Sequence, residues 1–363
     1  MSLYKRVLVY AYFAKNTGDD LFLKILFDRY PDVHWDLLTA NRNYNTIFKD
    51  YEHVHIIYSY REIKVWNQKF NLFFKLNDLI LNYNKYDALV IIGGSIFMES
   101  PAWKIKYKER AYLVDKFQQL NKKTFIIGAN FGPYKDQDFM RVHRDLFSRV
   151  DDVCFRDIYS FKLFNDLDNV RIAPDVVFNL QVNKQKKKMK SIGFSLINLN
   201  NREGLKDYQE HYQNKMIELA KQYLKKGYRI KIFSFCENEG DLDISNYIKE
   251  QLRTTDVEVK NYEGDLNGFL DDFKACEIII GTRFHSIILA LLYEQSVFPI
   301  IYNEKTFNVL KDLNLEKNSW HLHNIQDLQV KNAMDKAIYK AGINNKLFIE
   351  ANKQFEKLDL YIG

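Results

Sequence analysis

Ile278-Ile279-Ile280-Gly281-Thr282-Arg283-Phe284-His285-Ser286-Ile287-Ile288-Leu289-Ala290-Leu291-Leu292 is the stretch that decides how this 363-residue chain folds. The three isoleucines form a wholly apolar, β-branched run, which reads as a strand buried on both faces. Gly281 and Thr282 turn the chain. The helix expected from Ser286 to Tyr293 is apolar all round over residues 287–292, so it is buried as well. A central strand passing directly into a buried helix is the repeating piece of a doubly wound α/β sheet. In such sheets ligands lie outside the carboxyl ends of the strands. That edge here carries Arg283 and His285. The helix also directs its unpaired first-turn N–H groups there. A guanidinium, a helix dipole and a titratable imidazole together read as an anion site with a proton donor. A lone histidine is more often structural, but one placed two residues from an arginine at a strand exit favours function. Ser286 opens the helix, and Lys305, just past a strand at 298–302, adds another cation.

Outward from this stretch the same rhythm continues. Strands are expected at 191–197, 229–235, 257–259 and 277–281, with helices at 209–226, 244–252, 266–275 and 286–293 between them. In the first half, strands are expected at 6–12, 35–39, 55–58, 88–92, 124–128, 152–155 and 170–172, with helices at 20–29 and 110–120 among others. Strands alternating with helices predict parallel sheets covered on both faces. The expected fold is therefore α/β, with two Rossmann-like doubly wound domains facing across a cleft. The spans are 1–183 for the first domain, 184–190 for a basic linker, 191–330 for the second domain and 331–363 for a C-terminal helical segment.

Bulk properties exclude several classes. Hydrophobic residues make up 47% and charged residues 28% of the chain, a globular composition rather than a disordered one. Aromatics reach 15%, with 27 Phe and 24 Tyr; an aromatic-rich core is preferred over a sugar-stacking surface. The formal net charge of +6 is mild, and the only dense basic run, Lys184 to Lys190, reads as a solvated linker ahead of a patch for acidic lipid or polymer. No nucleic-acid motif accompanies those lysines. Cys154, Cys236 and Cys276 are scattered and odd in number, which reads as reduced, buried thiols in a cytoplasmic protein. No signal-peptide layout opens the chain, and the longest apolar stretch, 287–302, is too short and interrupted to span a bilayer.

Four further motifs sit at strand exits. Asn16-Thr17-Gly18-Asp19-Asp20 follows the first strand; ligand contact through Asn16, Gly18 and Asp20, and a plain capped helix start, which accounts for the two aspartates alone, are equal readings. Gly93-Gly94-Ser95 allows a backbone nest for an anion, although the P-loop lysine and the third glycine of a dinucleotide fingerprint are missing. Gly128-Ala129-Asn130-Phe131-Gly132-Pro133 is another glycine-rich exit, or a plain turn. Arg156-Asp157-x-x-Ser160 ends a buried strand; Arg156 either pairs with Asp157 or Asp175, or its planar fork grips a carboxylate or phosphate, and the second is preferred. His321-x-His323 lacks a carboxylate cluster and is read as non-metal.

In this order and spacing, Asn16-x-Gly18-Asp19-Asp20, Gly93-Gly94, Gly132-Pro133, Arg156-Asp157-x-x-Ser160, Ala173-Pro174-Asp175, Arg283-x-His285-Ser286 and Tyr302-x-x-Lys305 resemble the polysaccharide pyruvyl transferase family, over residues 6 to 310. Gly93-Gly94-Ser95 departs from the three glycines often found there. The resemblance implies a GT-B-like pair of domains and transfer of a pyruvyl group from phosphoenolpyruvate to a sugar, giving a ketal. It carries Arg156, Arg283, His285 and Lys305 over as site residues; for that reaction the expected roles are His285 as the acid, Arg283 and the helix terminus holding an anionic group and Arg156 clamping the other end, with no metal or cofactor required. The implied partners are the small-molecule donor and a sugar acceptor, lipid-linked or not, with peripheral membrane contact as an option and no nucleic acid. The oligomeric state is open. A GT-B nucleotide-sugar glycosyltransferase and a catalytically silent partner in polysaccharide assembly stand as alternatives. A nicotinamide-dependent dehydrogenase ranks last, because no G-x-G-x-x-G follows a strand.

Overall fold

The computed structural model describes residues 5–59, 62–65, 68–182, 190–200, 202–336 and 345–363. The expected basic linker at 184–190 lies outside the described residues except for Lys190. By contacts the chain divides into two compact units. Unit 1 holds the chain up to Phe13, Phe22–Val176 and Ile349–Gly363; unit 2 holds Ala14–Leu21 and Val177–Phe348.

Unit 1 is built on β1 (Arg6–Ala11), β2 (His34–Thr39), β3 (Val54–Tyr58), β6 (Ala88–Ile92), β7 (Lys123–Ala129), β8 (Asp152–Phe155) and β9 (Val170–Ile172), with a separate antiparallel hairpin of β4 (Glu62–Val65) and β5 (Gln68–Asn71). The large sheet runs in the order β3-β2-β1-β6-β7-β8-β9, all pairings parallel. Its direction of winding reverses between β1 and β6. Strands such as Ala88–Ile92 are buried at every position, as their uninterrupted apolar run demands. Much of the aromatic content fills this core. Phe97, Phe131, Phe139 and Phe147 are buried, and Phe131 stands edge-on to Phe164 at 4.8 Å. His143 lies among them, its Nδ1 2.8 Å from the Phe139 carbonyl oxygen. Burial holds its imidazole down to about 3, so it packs as a neutral ring.

Unit 2 has β10 (Ser191–Ser195), β11 (Arg229–Ser234), β12 (Val257–Asn261), β13 (Ile278–Gly281), β14 (Ser296–Ile301) and β15 (Trp320–His321) in the order β12-β11-β10-β13-β14-β15. All are parallel, and the winding reverses between β10 and β13. The Phe284–Leu292 helix follows β13 and is buried along nearly its whole length, as its all-apolar sequence requires.

The units differ from the expected spans at both ends. The first helix, Thr17–Arg29, contributes its first turn to unit 2 and its later turns to unit 1. The C-terminal segment divides at 348/349. Its last part joins unit 1 because Gln354, fully buried, accepts a bond from the Gly128 N–H at 3.0 Å and donates to the carbonyl oxygens of Ala173 at 2.8 Å and Pro174 at 3.0 Å. Arg29 adds a bidentate ion pair with Asp359. These contacts join residues far apart in sequence, so local pattern does not announce them.

Candidate active site in the second unit

Strand β13 ends at Gly281, in register with Ser195 of β10, at the point where the sheet changes direction. The backbone then turns so that Arg283 takes the position before the Phe284–Leu292 helix, with extended φ/ψ and no side-chain cap bond. His285 falls in the first turn and is half-buried. Its ring stands edge-on to Phe284, centroids 4.9 Å apart. A Cβ built on Gly18 would lie 1.7 Å from its Nδ1. Gly18 therefore touches the imidazole, and any side chain there would displace it.

The Asn16–Asp20 segment is held against this edge by its own bonds. The Thr17 N–H and hydroxyl donate to the Phe235 carbonyl oxygen at 3.0 and 3.1 Å. Asn16 accepts the Gly18 N–H on its side-chain oxygen at 3.0 Å, so it caps the helix. Asp20 is fully buried and accepts the Tyr262 hydroxyl at 2.8 Å. Of the residues proposed here as ligand contacts, Gly18 borders the imidazole, whereas Asn16 and Asp20 anchor the helix start.

Arg283 has a different task from the one expected. It is 7% exposed. Its Nε donates to Asp241 at 2.8 Å, its Nη2 donates to the same carboxylate, and its Nη1 donates to Glu239 at 2.6 Å. Burial favours the neutral arginine, but Asp241 and Glu239 outweigh it and lift the guanidinium well above its ordinary range. Its charge is already met by protein carboxylates, so it serves the site by fixing the turn. Ser286 is likewise buried, and its hydroxyl donates to the Arg283 carbonyl oxygen at 2.6 Å. That bond tightens the turn and leaves no exposed surface for a ligand.

Glu239 also accepts from Arg202 at 2.8 Å. Burial raises this carboxyl, but Arg283 and Arg202 prevail and hold it at about 2. Arg202 in turn lies over the Tyr302 ring, 5.0 Å from its centroid. Tyr302 follows β14 and is half-buried. Burial raises its phenol, yet the charges of Lys305, Arg202 and Arg283 together lower it below the ordinary range, against Glu239. Lys305 sits in the first turn of the Glu304–Asp312 helix, whose start is capped by Asn303 accepting the Thr306 N–H at 3.0 Å. Three cations and the Glu239 carboxylate thus face the phenol of Tyr302, on the strand exit beside that of β13. Arg202 carried no motif in the sequence. Tyr302 was visible only as part of Tyr302-x-x-Lys305.

The Arg156 motif belongs to unit 1 and is occupied by its own partners. Arg156 Nη1 pairs with Asp175 at 2.9 Å, both side chains being essentially unexposed. Nη2 donates to the Asn130 side-chain oxygen at 2.6 Å. The guanidinium lies on Gly94, where a Cβ would fall 2.5 Å from Nη1. Gly94 thus makes room for an internal cation, in place of the expected anion nest. Gly93, with φ of 144°, gives its N–H to the Ile127 carbonyl oxygen at 3.3 Å. Asp157 caps the next helix through the Ser160 N–H at 2.8 Å, and Ser160 accepts the Phe131 N–H at 2.7 Å. The buried-pair reading of Arg156 is the one the geometry matches.

The histidines at 321 and 323 turn to separate rings, Phe307 at 5.5 Å and Tyr208 at 5.1 Å. Among the described residues no group of three or more His, Cys, Asp or Glu has a metal-holding arrangement. The three cysteines are buried. No helix among the described residues is long and apolar enough to cross a membrane.

Residues 16–304 match the family model described as polysaccharide pyruvyl transferase. The chain is similar to the amylovoran biosynthesis protein AmsJ of Erwinia amylovora, 21% identical over 279 residues, covering 67% of this chain and 63% of AmsJ. It therefore spans somewhat less than two thirds of that relative. Among solved structures it resembles the UDP-GlcNAc 2-epimerase of Methanocaldococcus jannaschii, with TM-score 0.62, 7% identity, and 99% and 100% of the two chains covered. It also resembles HepE of Anabaena, solved with UDP and glucose, with TM-score 0.57, 11% identity, and 98% and 99% covered. These likenesses show the fold, a GT-B-like pair of doubly wound parallel α/β units, as expected from the strand–helix rhythm. The match over most of its length shows that the chain belongs to the polysaccharide pyruvyl transferase family.

Proposed function

We propose that this chain transfers a pyruvyl group from phosphoenolpyruvate to a sugar of a cell-surface polysaccharide or its precursor, forming a ketal. The observation that carries the proposal is His285, seated against Gly18 in the first turn of the buried helix at the reversal point of the second sheet. Phosphoenolpyruvate brings a carboxylate and a phosphate. Arg202, Arg283 and Lys305 lie about Tyr302 together with Glu239, and the helix terminus adds a partial positive charge. Protonated His285 delivers its proton to the methylene carbon, C2 becomes electrophilic, a sugar hydroxyl adds, and a second hydroxyl displaces phosphate. The scheme calls for no metal and no cofactor. Lys305 is the residue we assign to the donor's anionic groups. A lipid-linked acceptor would place the work at the cytoplasmic face of the membrane, in peripheral contact with it.

A nucleotide-sugar glycosyltransferase shares this fold, and HepE was solved with UDP and glucose. Two assays separate the readings. Phosphate release from phosphoenolpyruvate is followed over lipid-linked and nucleotide-linked sugars, and thermal shifts are recorded with phosphoenolpyruvate and with UDP. The expected result is acceptor-dependent phosphate release and stabilisation by phosphoenolpyruvate. Stabilisation by UDP alone, with no phosphate released, favours the glycosyltransferase. Binding of donor and acceptor without release marks a silent partner in assembly.

A further inference from the structure

Pyruvyl transfer needs a base as well as an acid, because the acceptor hydroxyl must lose its proton as it bonds to C2. We propose that Tyr302 is that general base, an inference that rests on the reaction proposed above.

The geometry singles it out. Tyr302 follows β14, the strand beside β13, whose exit carries Arg283 and His285. Gly281 of β13 is in register with Pro299, three residues before the tyrosine. The acid and the phenol therefore come from neighbouring strand exits on one edge of one sheet. The ring is fixed from two sides: it packs on the core cluster of the second sheet, and the Arg202 guanidinium covers it at 5.0 Å. No described residue hydrogen-bonds its hydroxyl, which leaves that oxygen open to a substrate. The charged groups that face it are Lys305 from the Glu304–Asp312 helix, Arg202 from the loop after β10, Arg283 from the turn after β13, and Glu239 from the short Glu237–Glu239 helix. Burial raises the phenol, but the cations outweigh burial and Glu239, so the phenolate is more accessible than that of an ordinary tyrosine. Arg202 accordingly acts on the reaction through Tyr302.

The step balances. His285 gives a proton to C3 of the donor, and C2 takes the positive charge. The first acceptor oxygen bonds to C2 while its proton passes to the Tyr302 phenolate. The second acceptor oxygen then bonds to C2 as the C2–O bond to phosphate breaks, and its proton leaves with phosphate. The proton held by Tyr302 returns through solvent to His285, so nothing is oxidised or reduced.

Tyr302→Phe in the full chain tests the assignment. The expected result is a fall in kcat of about 100-fold or more, an alkaline limb of the pH profile that no longer reports the phenol, and an unchanged KM and thermal shift for phosphoenolpyruvate. A fluorotyrosine at 302, which keeps the ring and lowers its phenol, should move the alkaline limb to lower pH; a merely structural role would leave it in place. Tyr302→Phe retaining wild-type kcat and pH profile, or a fluorotyrosine variant with an unmoved limb, overturns the proposal. A wild-type protein that neither binds phosphoenolpyruvate nor releases phosphate from it removes the reaction itself and this base with it, an outcome distinct from an active enzyme indifferent to position 302.

Discussion

Each unit ends a buried strand with an arginine, and the two arginines look alike in sequence. Arg156 follows β8 and Arg283 follows β13. Both are buried and both are gripped by protein carboxylates, Asp175 in the first case and Asp241 with Glu239 in the second. The difference lies in what surrounds the pair. Arg156 pairs with Asp175 and donates to the neutral side chains of Asn130 and Ser95, with the backbone of Gly94 against it. Around Arg283 a second arginine, Arg202, shares Glu239, and a phenol and an imidazole stand at the same edge. An arginine at a strand exit therefore marks a buried charge pair; titratable neighbours mark a site.

This comparison can be broken at several points. The largest effects come from His285→Ala, which should lower turnover by about 100-fold or more with little change in the urea midpoint; near-normal turnover would end the acid role. Arg156→Leu and Arg283→Leu each strand a buried carboxylate and should cost about 3–5 kcal/mol in urea unfolding. Equal destabilisation by both would uphold the view that both arginines are structural, and an Arg283→Leu protein of unchanged stability would refute it. The glycines then separate the units. Gly18→Ala pushes on the imidazole and should reduce kcat about 100-fold at near-normal stability. Gly94→Ala pushes on the Arg156–Asp175 pair and should lower the melting temperature instead. The reverse pattern would exchange the roles of the two edges.

The smallest effects concern pH. Glu239 is held at about 2, below its ordinary 4.5, so its contribution is present above 4.5 and lost as pH falls from there towards 2. His143 is held at about 3, below 6.5. The unfolded chain binds a proton there that the folded one does not, so stability falls as pH drops from 6.5 towards 3. His143→Phe should flatten the upper part of that slope, between 6.5 and 4.5, and leave the Glu239 part in place. An identical acid profile for this variant would contradict the assignment.

How far the sequence reveals this varies with range. The strands are legible because runs such as Ala88–Ile92 and Ile278–Ile280 are apolar on both faces, a pattern that only interior parallel strands need. Their exits, and hence Arg283, His285 and Lys305, follow from the same pattern. The partners are not legible. Asp241 and Glu239 reach Arg283 from another loop, and Arg202 meets Tyr302 across about one hundred residues of chain. Nothing in local periodicity tells Gly18, which yields to a histidine, from Gly94, which yields to an arginine. The contribution of residues 14–21 to unit 2 has the same cause, since Thr17, Gly18 and Asp20 find their contacts at Phe235, His285 and Tyr262.

The most direct test of the account is acceptor-dependent phosphate release from phosphoenolpyruvate, measured in parallel for the wild-type chain and for His285→Ala whose thermal shift with phosphoenolpyruvate is retained. The account predicts release by the first and a loss of about 100-fold or more in the second. Release at similar rates by both, or stabilisation of the wild type by UDP with no phosphate released, would contradict it.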